Sequence, residues 1–190
     1  MKLDKILALG IYIFTMIFTV SLYAQIPEEI SQNETIKDTI MDEYSIVIDK
    51  SKFNMKLYQG NLVIKEYQVA VGKNPGDKQK VGDMHTPEGD FVIQKIQVAS
   101  WWEYDFGDGK GPIKAYGPWF IRLETNATQT LSGNTWTGIG IHGTNDEDSI
   151  GTLASRGCIR MHNEKLVELV DFLKTLPDYH IKVIIRESID

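Results

Sequence analysis

Ile141-His142-Gly143-Thr144 and, after a polar spacer, Ser155-Arg156-Gly157-Cys158-Ile159-Arg160-Met161 form the stretch from which the rest of the chain is read. It holds the chain's single cysteine, Cys158, with His142 sixteen positions upstream. A thiol at its ordinary pKa of about 8.5 is only a few per cent ionised near neutrality, so a cysteine nucleophile needs a base. An imidazole can take that proton, and the imidazolium it becomes then holds the thiolate by charge. Sixteen positions are too many for one helical turn but suit a strand end, a loop and a return. The two side chains would therefore meet through the fold. Gly157, directly before Cys158, lets a substrate carbonyl approach the backbone closely. It also leaves the N–H groups of Gly157 and Cys158 to face a developing oxyanion. Arg160 adds a fixed positive charge two positions on, suited to a substrate carboxylate.

A second segment, Thr86-Pro87-Glu88-Gly89-Asp90-Phe91, lies upstream. His-Gly-Thr, a spacer and Ser-x-Gly-Cys-Ile-Arg-Met, taken with Thr-Pro-x-Gly-x-Phe, resemble the signature of the L,D-transpeptidase (YkuD-type) catalytic domain, a family of bacterial cell-wall enzymes. The resemblance runs over residues 44–186 in order and spacing. Many members carry His before the Gly-Cys pair, where this chain has Arg156. The resemblance implies a mostly β (α+β) domain: a curved mixed sheet or β-sandwich with one helix following the Cys loop. It also implies a reaction. The Cys158 thiolate attacks the carbonyl of the third residue, often diaminopimelate, of a peptidoglycan tetrapeptide stem. The terminal D-alanine leaves, and an amine acceptor takes the acyl group from the thioester. His142 serves as base and then acid. Gly157 and Gly143 shape the oxyanion site and its loop, and Arg160, Ser155 and Arg156 bind or orient substrate. A backbone carbonyl near Gly143 is available as the third member of the triad. No cofactor or metal is implied, and one cysteine with scattered histidines matches no usual zinc spacing. Two other readings stay open. With water as acceptor the same residues make an L,D-carboxypeptidase or another peptidoglycan hydrolase. An inactive envelope-binding module would instead keep Cys158 buried and inert.

The whole chain narrows the choice further. Its 190 residues allow one domain with appendages. Lysine and arginine total 20 against 26 acids, a net charge of −6. A nucleic-acid binder would show a basic face, so none is expected as a partner; peptidoglycan stem peptides are, and the domain is expected to be a monomer. Lys2 and Lys5 precede an apolar run from Ile6 to Tyr23, followed by Ala24 and polar Gln25. Residues 1–24 read as a secretory signal, or as a membrane anchor if the run is retained. Either places the domain outside the cytoplasm, in the periplasm or cell envelope. There a lone cysteine has no intrachain partner, and the Gly-Cys-Ile-Arg setting favours a reactive thiol over an inert one. Residues 25–43 are polar and contain Pro27, an exposed spacer.

Within 44–186 the alternation of apolar residues predicts strands at Tyr44–Asp49, Phe53–Gln59 and Leu62–Val71, an opening meander. Residues 72–88, with Pro75, Gly76, Gly82 and Pro87, form a long loop, and such loops tend to be functional. Further strands are expected at Gly89–Val98, Trp119–Leu123, Gly138–His142 and Ile181–Arg186. Leu166, Val167, Val170, Leu173 and Leu176 recur at helical spacing, with Asn163 as N-cap and Pro177 ending the helix. Trp101-Trp102 either stack on a sugar, form a lid, or cover the sheet. Among the other histidines, His162 is the rival base, His85 could line the cleft from its loop, and His180 reads as a surface residue. Asp146, Glu147 and Asp148 read as a solvated acidic loop.

Overall fold

The computed structural model describes residues 44–109, 111–126 and 129–189; the expected signal or anchor and the spacer, residues 1–43, lie outside them. Strands β1 (Tyr44–Asp49), β2 (Asn54–Gln59) and β3 (Leu62–Gly72) form the expected antiparallel meander. Then come β4 (Gly89–Val98), β5 (Trp119–Leu123), β6 (Gly140–His142), β7 (Leu153–Ser155) and β8 (Ile159–Met161). Helix α1 (Asn163–Thr175) and β9 (Lys182–Arg186) complete the domain.

The strand order is β2-β1-β9-β4-β5-β6-β8-β3, and β3 pairs back onto β2, so the sheet closes into a barrel-like ring with β7 attached to β3. Closure depends on the two longest strands changing partners along their length. β3 pairs with β2 over Leu62–Gln68, with β8 at Val69 and Ala70, and with β7 at Val71 and Gly72. β4 pairs with β9 over Gly89–Val92 and with β5 over Ile93–Val98. A short strand has one set of neighbours; a strand of ten or eleven residues can bend across a corner and serve two.

Alternation then decides what fills the ring. Ile46 and Ile48, Met55 and Leu57, Phe91 and Ile93, and Val183 and Ile185 are all fully buried, as period two requires. Helix α1 covers the core with Leu166, Leu169, Val170 and Leu173, each fully buried and worth roughly 1.5–3 kcal/mol. The helix stops at Thr175, and Leu176, held extended before Pro177, ends it.

Several expected boundaries move. Phe53 has φ 52° and closes the turn before β2 instead of opening the strand. Val167 is 36% exposed, and the inward position belongs to Leu169. Asn163 is the first helical residue, the N-cap is His162, and no side chain of His162 caps the helix. Strands β7 and β8, three residues each, are too short to leave a periodic signal.

Candidate active site

β6 and β8 lie side by side and run parallel, with Ile141 opposite Ile159 and His142 opposite Arg160. Alternation sends Ile141 and Ile159 into the core, where both are fully buried. His142 and Arg160, and Cys158 at the entrance to β8, take the other face and line one cleft of about 330 Å³. The pairing of distant segments inferred from the sequence is therefore made by strand register.

His142 is 4% exposed. It stacks on Phe120, its cross-strand partner on β5, with ring centroids 5.5 Å apart and planes 8° apart. The Tyr116 ring lies 5.0 Å away on another side. Its Nδ1 is 2.6 Å from the Gly143 carbonyl oxygen. A carbonyl can only accept, so Nδ1 carries the proton and the lone pair of the neutral ring is on Nε2. Burial drives the His142 pKa down to about 4; the Gly143 hydrogen bond opposes this, and the Arg160 charge adds to it.

Cys158 is partly exposed, and its thiol donates to the Gly138 carbonyl at 3.3 Å. Burial pushes the thiol pKa up, while a backbone hydrogen bond from Gly140 and the charges of Arg160, Arg122 and Lys78 pull it back. Burial thus works against the charged form of each group.

The loop between β7 and β8 is closed by Ser155, which is 1% exposed. Its Oγ accepts the Gly157 N–H at 3.0 Å and donates to the Cys158 carbonyl at 2.5 Å. This amends the expected oxyanion pair: the Gly157 N–H is already engaged, and the Cys158 N–H is the remaining candidate of the two. Packing also requires Gly157. Its φ is +131°, and a Cβ there would stand 2.9 Å from the His85 carbonyl oxygen. Gly143 is set by packing too, since a Cβ would fall 2.0 Å from Asn163 Oδ1.

Asn163 therefore has a task its sequence position did not show. Its Oδ1 accepts the Thr144 N–H at 3.0 Å, and its Nδ2 donates to the Thr144 carbonyl at 2.8 Å. This two-way clasp holds the segment whose Gly143 carbonyl orients His142. The helix end is capped by Glu147, whose Oε1 accepts the Asn163 N–H at 3.0 Å. That bond, first, and the His162 ring, second, hold the Glu147 carboxyl below its usual range. Glu147 is thus a cap on α1, in a short 3-10 turn (Glu147–Ser149), and not only part of a solvated acidic loop. His162 pairs with Glu147 at 2.7 Å and does not line the cleft, so it is no rival base. His85 contributes its carbonyl behind Gly157 and is also absent from the cleft lining. His180 pairs with Asp178.

The remaining wall was not foreseen. Tyr104, Phe106, Tyr116, Trp136 and Lys78 line the cleft. Lys78 pairs with Asp83 at 2.6 Å and lies 5.0 Å from the centroid of the Trp136 ring. Arg156 donates to the Tyr104 hydroxyl at 3.0 Å and the Phe106 carbonyl at 3.1 Å. Trp102 packs on Phe120 at 5.4 Å, covering the sheet, while Trp101 is 63% exposed. Thr86, from the upstream segment, accepts the Gly72 N–H at 2.8 Å and is buried, and Glu88 binds buried Lys50 at 2.9 Å. Those two residues fasten the long loop to the barrel.

Comparison with known proteins covers most of the described domain. The family model described as the YkuD L,D-transpeptidase catalytic domain matches residues 43–185. A Bacillus licheniformis protein named "Putative L,D-transpeptidase YkuD" is 35% identical over 136 residues, which are 72% of this chain and 62% of the relative. The chain thus spans under two thirds of that relative's length. Among solved structures, Bd1075 of Bdellovibrio bacteriovorus superposes with a TM-score of 0.55 at 22% identity, over 80% of this chain and 50% of that one. The catalytic domain of the Enterococcus faecium L,D-transpeptidase gives 0.52 at 20% identity, over 77% of this chain and 98% of that domain. At these identities the structural likeness speaks for the fold.

Proposed function

The chain belongs to the YkuD family of L,D-transpeptidase catalytic domains, and from that premise we propose that it is an L,D-transpeptidase working through a thioester on Cys158 of a peptidoglycan stem peptide. The observation that carries this reading is the Nδ1 bond of His142 to the Gly143 carbonyl, which leaves Nε2 as a base in the cleft that Cys158 also lines.

The proton leaves sulfur for His142 Nε2 as the sulfur attacks the carbonyl of the third stem residue. The new C–S bond makes a tetrahedral oxyanion, for which the Cys158 N–H is a donor; loss of such a donor typically costs about 100-fold or more. Breaking the C–N bond expels D-alanine, whose amine takes the proton back from His142. An acceptor amine then attacks the thioester and gives its proton to His142, and as the C–S bond breaks the sulfur takes that proton and the thiol is restored. The Gly143 carbonyl supports the imidazolium formed at each stage and plays the part an acidic residue has in other triads. Arg160, beside His142 in register, favours the thiolate form of sulfur and is placed to orient substrate or loop. The reaction lies in the cell envelope, reached through residues 1–24 as an export signal or anchor. An inert binding module would need an inaccessible thiol, whereas Cys158 is partly exposed in the cleft.

The test is mass spectrometry of tetrapeptide stems incubated with the protein, with and without an acceptor amine. D-alanine release and a new amide bond are expected, and both should vanish in Cys158→Ala. Release without amide formation in the presence of acceptor would replace the transferase by an L,D-carboxypeptidase. Release by Cys158→Ala equal to that of the parent would end the thioester reading.

A further inference from the structure

The cleft is cationic although the chain is not. Lys78, Arg156 and Arg160 line it, among the described residues no Asp or Glu does, and the net charge of the whole chain is −6. The three cations are not equivalent. Lys78 is neutralised by Asp83 at 2.6 Å. Arg160 is half-buried: burial lowers its pKa, the field of Asp146 opposes this, and among the described residues it makes no ion pair and its buried Nε has no hydrogen-bond partner. Arg156 has only neutral partners: its Nη1 and Nη2 donate to the Tyr104 hydroxyl and the Phe106 carbonyl, and its guanidinium lies 5.4 Å and 5.2 Å from the centroids of their rings. Among the described residues no carboxylate is within ion-pair distance of it. Two of its five N–H donors are engaged, and it is exposed at the cleft, two residues before the nucleophile. Arg156 is also near enough to Arg160 for its charge to lower the Arg160 pKa.

A guanidinium held in place by aromatic faces and neutral acceptors is preorganised for a planar anion, which it can bind through two parallel hydrogen bonds. The described residues supply none. Building on the transpeptidase reading, we propose that Arg156 is a specificity-determining residue that receives a carboxylate of the acyl-donor stem near the scissile bond. The enzyme consequently prefers stems with free carboxylates to the same stems amidated. Hydrogen bonds to a charged acceptor exceed those to a neutral one by an amount worth about tenfold in affinity, and an exposed site loses part of that in salt.

The experiment compares kcat/KM for D-alanine release from one tetrapeptide with its side-chain and α-carboxylates free and from the same peptide with them amidated. It uses the full chain, Arg156→Gln and Arg156→Lys, each checked for an unchanged thermal melt. The parent should favour the free-acid donor about tenfold, chiefly through KM, and less at high salt. Arg156→Gln should lose activity on the acid donor alone and bring the ratio close to one; Arg156→Lys should keep part of the preference. Equal losses on both donors would make Arg156 a strut for the Tyr104–Phe106 loop and overturn the proposal, as would a parent enzyme indifferent to amidation. If the parent releases D-alanine from neither donor, the transpeptidase reading fails first and this inference with it. Calorimetric titration of Cys158→Ala with both peptides reads the same preference without turnover.

Discussion

One wall of the cleft is made of strands and the other of loop. His142 and Cys158 stand on or beside β6 and β8, whose register is fixed by backbone ladders and whose inner face is the fully buried pair Ile141 and Ile159. The loop at 101–117 is joined to the Cys loop through the hydrogen bonds and ring contacts of Arg156. Its aromatic residues otherwise pack edge to face, Tyr104 on Phe106 at 4.8 Å and Tyr104 on Tyr116 at 6.4 Å. A ladder cannot slip by one residue without exposing its core face, so the strand wall suits groups whose spacing must not vary. A loop held by side chains can be re-cut by one substitution, which suits a surface that selects among substrates. Changes on the strand wall should therefore reach chemistry, and changes on the loop wall should reach selection.

The largest effect is expected at His142. His142→Gln removes the proposed base and should lower D-alanine release by about 100- to 10,000-fold, the usual contribution of general acid–base catalysis. The same residue has a stability signature with a definite sign. Its folded pKa of about 4 lies below the ordinary imidazole value of 6.5. Between those values the unfolded chain holds a proton that the native state does not, so stability is full above pH 6.5 and is lost as pH falls toward 4. The shift corresponds to about 3 kcal/mol. Urea unfolding at pH 7.5 and 4.5 should show a smaller acid loss for His142→Gln than for the parent. An identical loss in both would mean that His142 is not buried in neutral form.

Asn163 should give the next largest effect. It touches neither Cys158 nor His142 in any hydrogen bond, yet it grips Thr144 from both sides. Asn163→Ala frees the Gly143 carbonyl to wander and should reduce kcat about tenfold with little change in KM, as expected for slight misplacement of a catalytic group. Because the carbonyl fixes the tautomer, the acid limb of the kcat profile should also move; Asn163→Asp, which keeps one of the two bonds, should recover part of the loss. A drop in kcat with an unmoved pH profile would reduce Asn163 to a packing residue.

The same contrast explains what could be read from the sequence. The strand wall was legible because two short motifs bring Cys158 and His142 to one cleft and its core residues alternate, so the meander and the helix stand where the sequence puts them. The lowered imidazole and the raised thiol were not legible, since both depend on burial, which no motif encodes. Neither was the role of Gly157, whose missing side chain makes room for the His85 carbonyl, seventy-two positions away in sequence. Asn163 was noticed for the wrong reason: a residue that looks like an N-cap sits one position inside the helix and bonds sideways. The loop wall left almost no signal. Tyr104, Phe106, Tyr116 and Trp136 have no common period, and only the closed fold brings them together.

Trp101 marks the edge of the loop wall and should give the smallest effect. It was singled out with Trp102 as a possible sugar platform or lid, and the structure separates the pair. Trp102 is packed on Phe120 and Tyr116, so its removal would leave a cavity under the ring that stacks on His142. Trp101 is 63% exposed and outside the cleft lining. Trp101→Ala should therefore change stability by less than about 0.5 kcal/mol and leave turnover of a free tetrapeptide unaltered, measured by urea unfolding and D-alanine release. An exposed indole can still meet the glycan that carries the stems. A loss confined to intact sacculi, with free peptides turned over as before, would extend the selecting wall to Trp101; a loss on free peptides would show that the loop reaches the reacting groups and would blur the division between the two walls.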